Sequence, residues 1–332
     1  MNYSSNGAKY GTILERGHET TMAIYHLRVK YVQRSKGKSA VAASAYRSGE
    51  KIVDERSGKT HDYTRKRDIE QTGVMLPDHM PVSMQDRSVL WNALETGISH
   101  PRGQPAFEVE VALPRELDSA KCVQLVREFA HDEFVAKGLA VDYAIHRTKA
   151  SDGGEHPHAH ILISTRRFND DGSIGKAARD LQDNPKLVDK IQTLESVGKF
   201  DEALILQRGA VNLDRWRRHW EDYSNRFLED SGSESRIDHR TLAAQGVARE
   251  PTPNVGIGFY GLFRGFQGHM AERIESWKAI NWRNEMRQQF ERVRERAPDM
   301  TADFIAHARE YAPKLFPELQ RETPDRGRDY ER

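Results

Sequence analysis

Three histidines at alternate positions, in His156-Pro157-His158-Ala159-His160, run directly into the apolar stretch Ile161-Leu162-Ile163. Side chains alternate between the two faces of an extended strand, so residues two apart share a face. This segment therefore reads as a two-faced strand, with a row of imidazoles on one side and small or apolar groups on the other. Imidazole is the commonest protein ligand for transition metals and titrates near neutral pH without perturbation. With 14 His in 332 residues, three at this spacing point to a metal or phosphoryl-transfer site. The plain alternative is a half-exposed strand that happens to carry histidine.

Leu139–Arg147 is predicted as a second strand, and Gly153-Gly154 as a turn, so these two strands are expected to be antiparallel neighbours. Asp142, Ala144 and His146 then share a face, and pairing can bring His146 beside His158 and His160. Three protein ligands leave coordination positions open, which suits catalysis better than a closed structural site. Glu108 and Glu110 also lie two apart, in the strand Phe107–Leu113 that Pro114 ends. They could accept a proton, orient an imidazole or assist a metal; ordinary solvent-facing alternation is the alternative. A short helix is expected from Ser39 to Ser48, ended by Gly49, and its many alanines make it slim. Tyr46, its one large side chain, is the candidate nucleophile; a core residue on an alanine-rich helix is the alternative. A phenol has a pKa near 10, so it needs a cation or a base beside it.

Composition bounds the rest. Charged residues make up 30% and hydrophobic residues 37% of the chain, and no run approaches the ~20 apolar residues that span a bilayer. A single cysteine, Cys122, excludes an internal disulfide and fits a reducing cytoplasm. Net charge is only +1, but Met22–Arg67 holds 12 Lys/Arg against 4 Asp/Glu, a local +8. Such a basic segment is the electrostatic footprint of nucleic-acid binding. Residues 1–21 read as a disordered leader, or as upstream sequence with Met22 as the true start. Thr60–Arg67 reads as basic and irregular. Leu213, Trp216, Trp220, Tyr223 and Phe227 form an aromatic helical face, read as core rather than as a base-stacking platform. Arg240–Gln245 is expected to be a short helix, 251–268 a linker, 269–297 a long charged helix, 302–311 a shorter one, and the last dozen residues disordered.

Several of these segments resemble the MobA/MobL family of plasmid mobilisation relaxases. They are Met22-Ala23-Ile24-Tyr25-His26-Leu27, Ser39–Arg47, Glu108–Pro114, Ala144-Ile145-His146 with Glu155–His160, and Arg236–Gly246, in family order from Met22 to about Gly246. The resemblance implies an α+β fold of the HUH endonuclease type, with an antiparallel sheet flanked by helices, over a relaxase domain at 22–250; residues 1–21 and the chain after about Pro251, where a helical extension is expected at 269–332, lie outside it. It implies Tyr46 as the nucleophile, His146, His158 and His160 as metal ligands, and Glu108 and Glu110 as the acidic block. The roles of the two carboxylates stay open, and His156 stands where many relatives would have Asn. The expected cofactor is a divalent metal, Mg2+ or Mn2+. The expected partner is single-stranded DNA at an origin of transfer, with accessory mobilisation or coupling proteins as a further class. Arg28, Lys30, Arg34, Lys36, Lys38 and Arg47 would contact phosphates. Two other readings compete. A histidine-triad nucleotide hydrolase would use the middle His of the motif without metal, and a non-catalytic protein would bind origin DNA without nicking it.

Overall fold

The computed structural model describes residues 12–15, 18–21, 23–149, 153–196, 198–242, 244–245, 247, 249–250 and 269–296. They fall in two compact units, Met1–Leu194 with Lys199–Arg240, and Glu195–Gly198 with Thr241–Arg332. In the first unit, β1 (Thr12–Glu15) pairs antiparallel with β2 (His18–Thr21). The expected disordered leader is corrected for these residues; the β-branched Thr12, Ile13, Thr20 and Thr21 favour extended backbone. β3 (Leu27–Val32) follows, then α1 (Ala40–Ser48), then a hairpin of β4 (Lys51–Asp54) and β5 (Lys59–Asp62), then β6 (Ile69–Met75). The hairpin corrects the irregular reading at Thr60–Asp62. After α2 (Arg87–Gly97), β7 (Ala106–Ala112), α3 (Ser119–Glu133), β8 (Val141–Lys149) and β9 (Glu155–Ser164) complete the main sheet. Its order is β3-β7-β9-β8-β6, every neighbouring pair antiparallel.

Alternation gives the sheet two unlike faces. Val29, Phe107, Val109, Tyr143, Ile145 and Ile161 point to one side, where α3 and a later helix cover them. Past the small hairpin of β10 (Arg166–Phe168) and β11 (Ile174–Ala177) come α4 (Pro185–Ser196), α5 (Phe200–Gln207) and that helix, α6 (Val211–Asp230). Leu213, Trp216, Trp220 and Phe227 of α6 are buried there, and Trp216 stacks on Phe107 with centroids 5.5 Å apart. The aromatic face is therefore core, as its spacing suggested.

The other face is polar along one half and is covered by α1 and α2. Ser39 caps α1 by accepting from the Ala42 N–H at 3.3 Å, and Gly49 ends it at φ 71°. Ala40 and Ala45 are fully buried, so α1 lies close against its neighbours. Asp142 of β8 pins both helices: it accepts from Ser44 Oγ at 2.6 Å, Arg87 Nε at 2.8 Å and Trp91 Nε1 at 3.0 Å. A buried carboxylate is tolerated because each donor offsets the lost hydration.

After α6, Ile237 is held by Asn225, which donates to its carbonyl and accepts from its N–H. The Arg236 carbonyl accepts from the Ala23 N–H at 2.9 Å, tying this segment to the entry of β3. The helix expected at 240–245 is corrected: its described residues form turns, closed by Gln245 N–H to Thr241 C=O at 3.0 Å. In the second unit, α7 (His269–Arg296) is a long helix. There Glu250 accepts from Arg283 and forms an ion pair with Arg287. The expected linker at 251–268, the helix at 302–311 and the chain end lie outside the described residues. Among the described residues, no helix is long and apolar enough to cross a membrane.

Candidate active site

The β8–β9 register sets His146 opposite His158 and Ala144 opposite His160. The His146 ring centroid lies 5.5 Å from that of His158 and 4.9 Å from that of His160, and one ring nitrogen of each lies within 4.8 Å of the other two. On the far side of β9, β7 sets Glu110 opposite His160. The polar face thus carries the three predicted ligands and both predicted carboxylates side by side.

Each imidazole has one nitrogen committed. His158 Nδ1–H donates to the His156 carbonyl at 3.0 Å, His160 Nδ1–H to Glu108 Oε1 at 2.5 Å, and His146 Nε2–H to the Arg47 carbonyl at 2.8 Å. Such partners fix ring orientation and tautomer, and they leave one lone pair per ring. The donor set therefore fits a divalent cation. Burial pulls the His146 pKa down to about 4, against the Arg47 carbonyl; positive charge on His160, Lys66 and His158 adds to the shift. His158 is likewise lowered, first by burial. Rings that resist protonation keep their lone pairs at neutral pH.

Glu108 is 1% exposed. Burial alone would raise its pKa, but the hydrogen bond from His160 and the charge and hydrogen bonds of Arg47 outweigh it and hold the carboxyl well below the usual range. Arg47 Nε donates to Glu108 Oε1 at 2.6 Å, and its Nη2 to Oε2. Glu110 is also held low against burial, by His26 and Lys30. Neither carboxylate is a solvent-facing residue of an alternating strand. Both are ionised, and each is engaged by cationic groups. Glu108, Glu110 and His160 could also group around an ion, but Arg47 and Lys30 already occupy the two carboxylates.

Tyr46 is 49% exposed on α1, one residue before the carbonyl that receives His146. Tyr63 meets its ring edge-on at 5.1 Å, and Lys66 Nζ sits 4.1 Å from the ring centroid. Lys66 also faces Asp68 at 3.7 Å, and Asp68 faces His146 Nδ1 at 3.7 Å.

The six basic residues expected to meet phosphates are placed unequally. Arg28 on β3 and Lys38 before α1 are exposed. Lys36 is exposed and paired with Asp189 at 2.8 Å. Lys30 pairs with Glu110, and Arg47 with Glu108. Arg34 is a correction: its side chain is 7% exposed and bound to Glu95 and to the carbonyls of Glu95 and Ile98, so it anchors α2. His156 is absent from the three-histidine group and contributes its carbonyl instead. His26, Lys66 and Asp68 border the site without having been singled out by sequence. His26 lies in the first family-like block and Lys66 in the basic segment, and Asp68 follows that segment directly.

The MobA/MobL family model matches residues 38–262. A mobilization protein MobL of Acidithiobacillus ferridurans is 33% identical over 268 residues, covering 73% of this chain and 64% of the relative. A probable mobilization protein MobA of Bifidobacterium longum is 32% identical over 328 residues, covering 91% of this chain and 55% of the relative. The chain thus spans somewhat over half the length of these relatives. A solved structure described as the molecular basis of vancomycin resistance transfer in Staphylococcus aureus aligns with TM-score 0.53 and 25% identity, over 66% of this chain and all of that one. With the sheet, the histidine row and the capped tyrosine helix in place, the chain belongs to the MobA/MobL family and has its relaxase-type α+β fold.

Proposed function

We propose that this protein nicks single-stranded DNA at an origin of transfer, using Tyr46 as the nucleophile, and later religates it. The observation that carries the reading is the exposed Tyr46 on a helix whose next carbonyl binds His146, beside three imidazoles that each keep one lone pair. A divalent cation on His146, His158 and His160, Mn2+ or Mg2+, would supply Lewis-acid polarisation of a phosphate oxygen.

The chain's own residues perform the rest. Tyr46 Oη forms a bond to phosphorus while the bond from phosphorus to the 3′-oxygen breaks. The products are a 5′-phosphotyrosine and a free 3′-hydroxyl. The phenol proton leaves to solvent, which Tyr46 reaches directly, and the departing 3′-oxygen takes one up. One phosphodiester replaces another, so the step is near balance, and the 3′-hydroxyl can reverse it. Glu108 and Glu110 act as positioning residues: both are held ionised by cations, and Glu108 fixes the His160 ring. Arg28, Lys30, Lys36, Lys38 and Arg47 lend positive potential for the DNA backbone, giving salt-dependent affinity without sequence choice.

The test is a labelled single-stranded oligonucleotide from the protein's own locus, incubated with Mn2+. A shortened strand with a denaturation-resistant protein attached, lost on adding EDTA and in Tyr46→Phe, is the expected result. Hydrolysis of small nucleotides that survives EDTA would favour the histidine-triad reading. Tight binding without any cut would favour the non-catalytic one.

A further inference from the structure

We propose that Lys66 is a positioning residue for Tyr46, clamping the phenol ring from one face by a cation–π contact while Tyr63 closes its edge; this rests on the reading of Tyr46 as the attacking group. Tyr46 is half exposed on the outer side of α1. A solvent-facing ring exchanges between rotamers, whereas in-line attack on phosphorus tolerates little misplacement. The clamp supplies the missing restraint. Lys66 Nζ lies 4.1 Å from the ring centroid, inside the ~6 Å range of a cation–π contact. Tyr63 meets the same ring at 5.1 Å and 90°, the edge-to-face arrangement that aromatic quadrupoles favour.

Both clamp members sit on one short turn after β5, and that turn is tied to α1. Tyr63 N–H donates to the Glu50 carbonyl at 3.2 Å, just past the end of α1, and Lys66 N–H donates to the Tyr63 carbonyl at 3.0 Å. The Lys66 side chain is only 16% exposed, with Asp68 at 3.7 Å on its other side. Partial loss of water strengthens a cation's attraction to a ring. Burial, followed by the nearby Arg47 charge, lowers the Lys66 pKa despite Asp68, in keeping with an ammonium taken partly out of solvent.

Lys66→Met keeps the aliphatic stem and removes the cation; Lys66→Arg keeps a cation able to stack. Each is measured for the single-turnover rate of adduct formation, for affinity toward an oligonucleotide with a non-cleavable linkage, and for the salt dependence of that affinity. Lys66→Met is expected to slow adduct formation by about 10- to 100-fold, with affinity within about twofold and an unchanged salt slope. Lys66→Arg is expected to restore the rate to within about threefold of the parent. An unchanged rate in Lys66→Met overturns the proposal. So does weaker binding with a salt slope reduced by about one, which marks a phosphate contact. In carbon-13 tyrosine spectra, with Tyr46 assigned by its loss in Tyr46→Phe, the Tyr46 ring signal is expected to move in Lys66→Met. An adduct-forming protein whose Tyr46 signal stays put overturns the clamp alone. A parent protein that forms no adduct overturns the nucleophile reading, and the clamp's role falls with it.

Discussion

The two faces of the central sheet are built from alternate residues of the same strands, yet they follow opposite rules. On one face, Phe107, Val109 and Ile161 meet Trp216 and Trp220 in a dry core, where volume and shape set the energy. On the other, Glu108, Asp142 and His146 are as deeply buried, but each has specific hydrogen-bond partners. Burying a charge costs several kcal/mol unless it is paired, and a buried pair seldom adds net stability. The apolar face therefore carries the fold, and the polar face draws on that stability to hold ionised groups in a fixed array. The same contrast separates what can be repacked from what cannot: a leucine-for-methionine exchange on the first face keeps the volume, whereas the second face has no equivalent substitute for Glu108.

Substitutions should separate the faces by what they damage. Trp216→Ala is expected to cost about 3–5 kcal/mol of unfolding free energy, read by urea denaturation. Cleavage per folded molecule should stay near the parent value. If cleavage fell as steeply as stability, the faces would not be independent. Glu108→Gln should do the reverse, lowering Mn2+ affinity and cleavage by about 10- to 100-fold with a smaller loss of stability. Calorimetric Mn2+ titration checks it, and unchanged affinity would remove Glu108 from its place behind His160.

The remaining expected effect is on pH. Burial holds native His146 near a pKa of about 4, against 6.5 for a free ring, so between those values the unfolded chain binds the proton more readily. The metal-free protein should therefore lose stability as pH falls from 6.5 toward 4, beyond the loss from its carboxylates. His146→Asn should flatten that part of the profile in urea denaturation measured across the range. A parallel profile in the variant would place the pH sensitivity elsewhere.

How far sequence reached follows the same division. The histidine row, the Ser39-capped helix and the aromatic face of α6 were legible because period and caps are local. The partners of the polar face were not, because they are distant in sequence. Glu108 was expected at the site with its role open, since Arg47, 61 residues earlier, and His160, 52 later, engage it across the fold. Arg34 looked free for phosphate because Glu95, also 61 residues away, gave no local sign. The β4–β5 hairpin was missed because polar residues such as Lys59 and His61 mask its alternation. The turns after Asp238 were misread as helix because Thr241–Gln245 has helical composition, whereas its described residues form turns.

The central claim is that the polar face delivers one tyrosine to a DNA phosphate. The most direct measurement is to digest the denaturation-resistant adduct formed with Mn2+ and locate the nucleotide by mass spectrometry. The account predicts a 5′-phosphate linked to Tyr46. A nucleotide on Tyr63 or any other residue would contradict it, as would the absence of an adduct on every single strand from the locus.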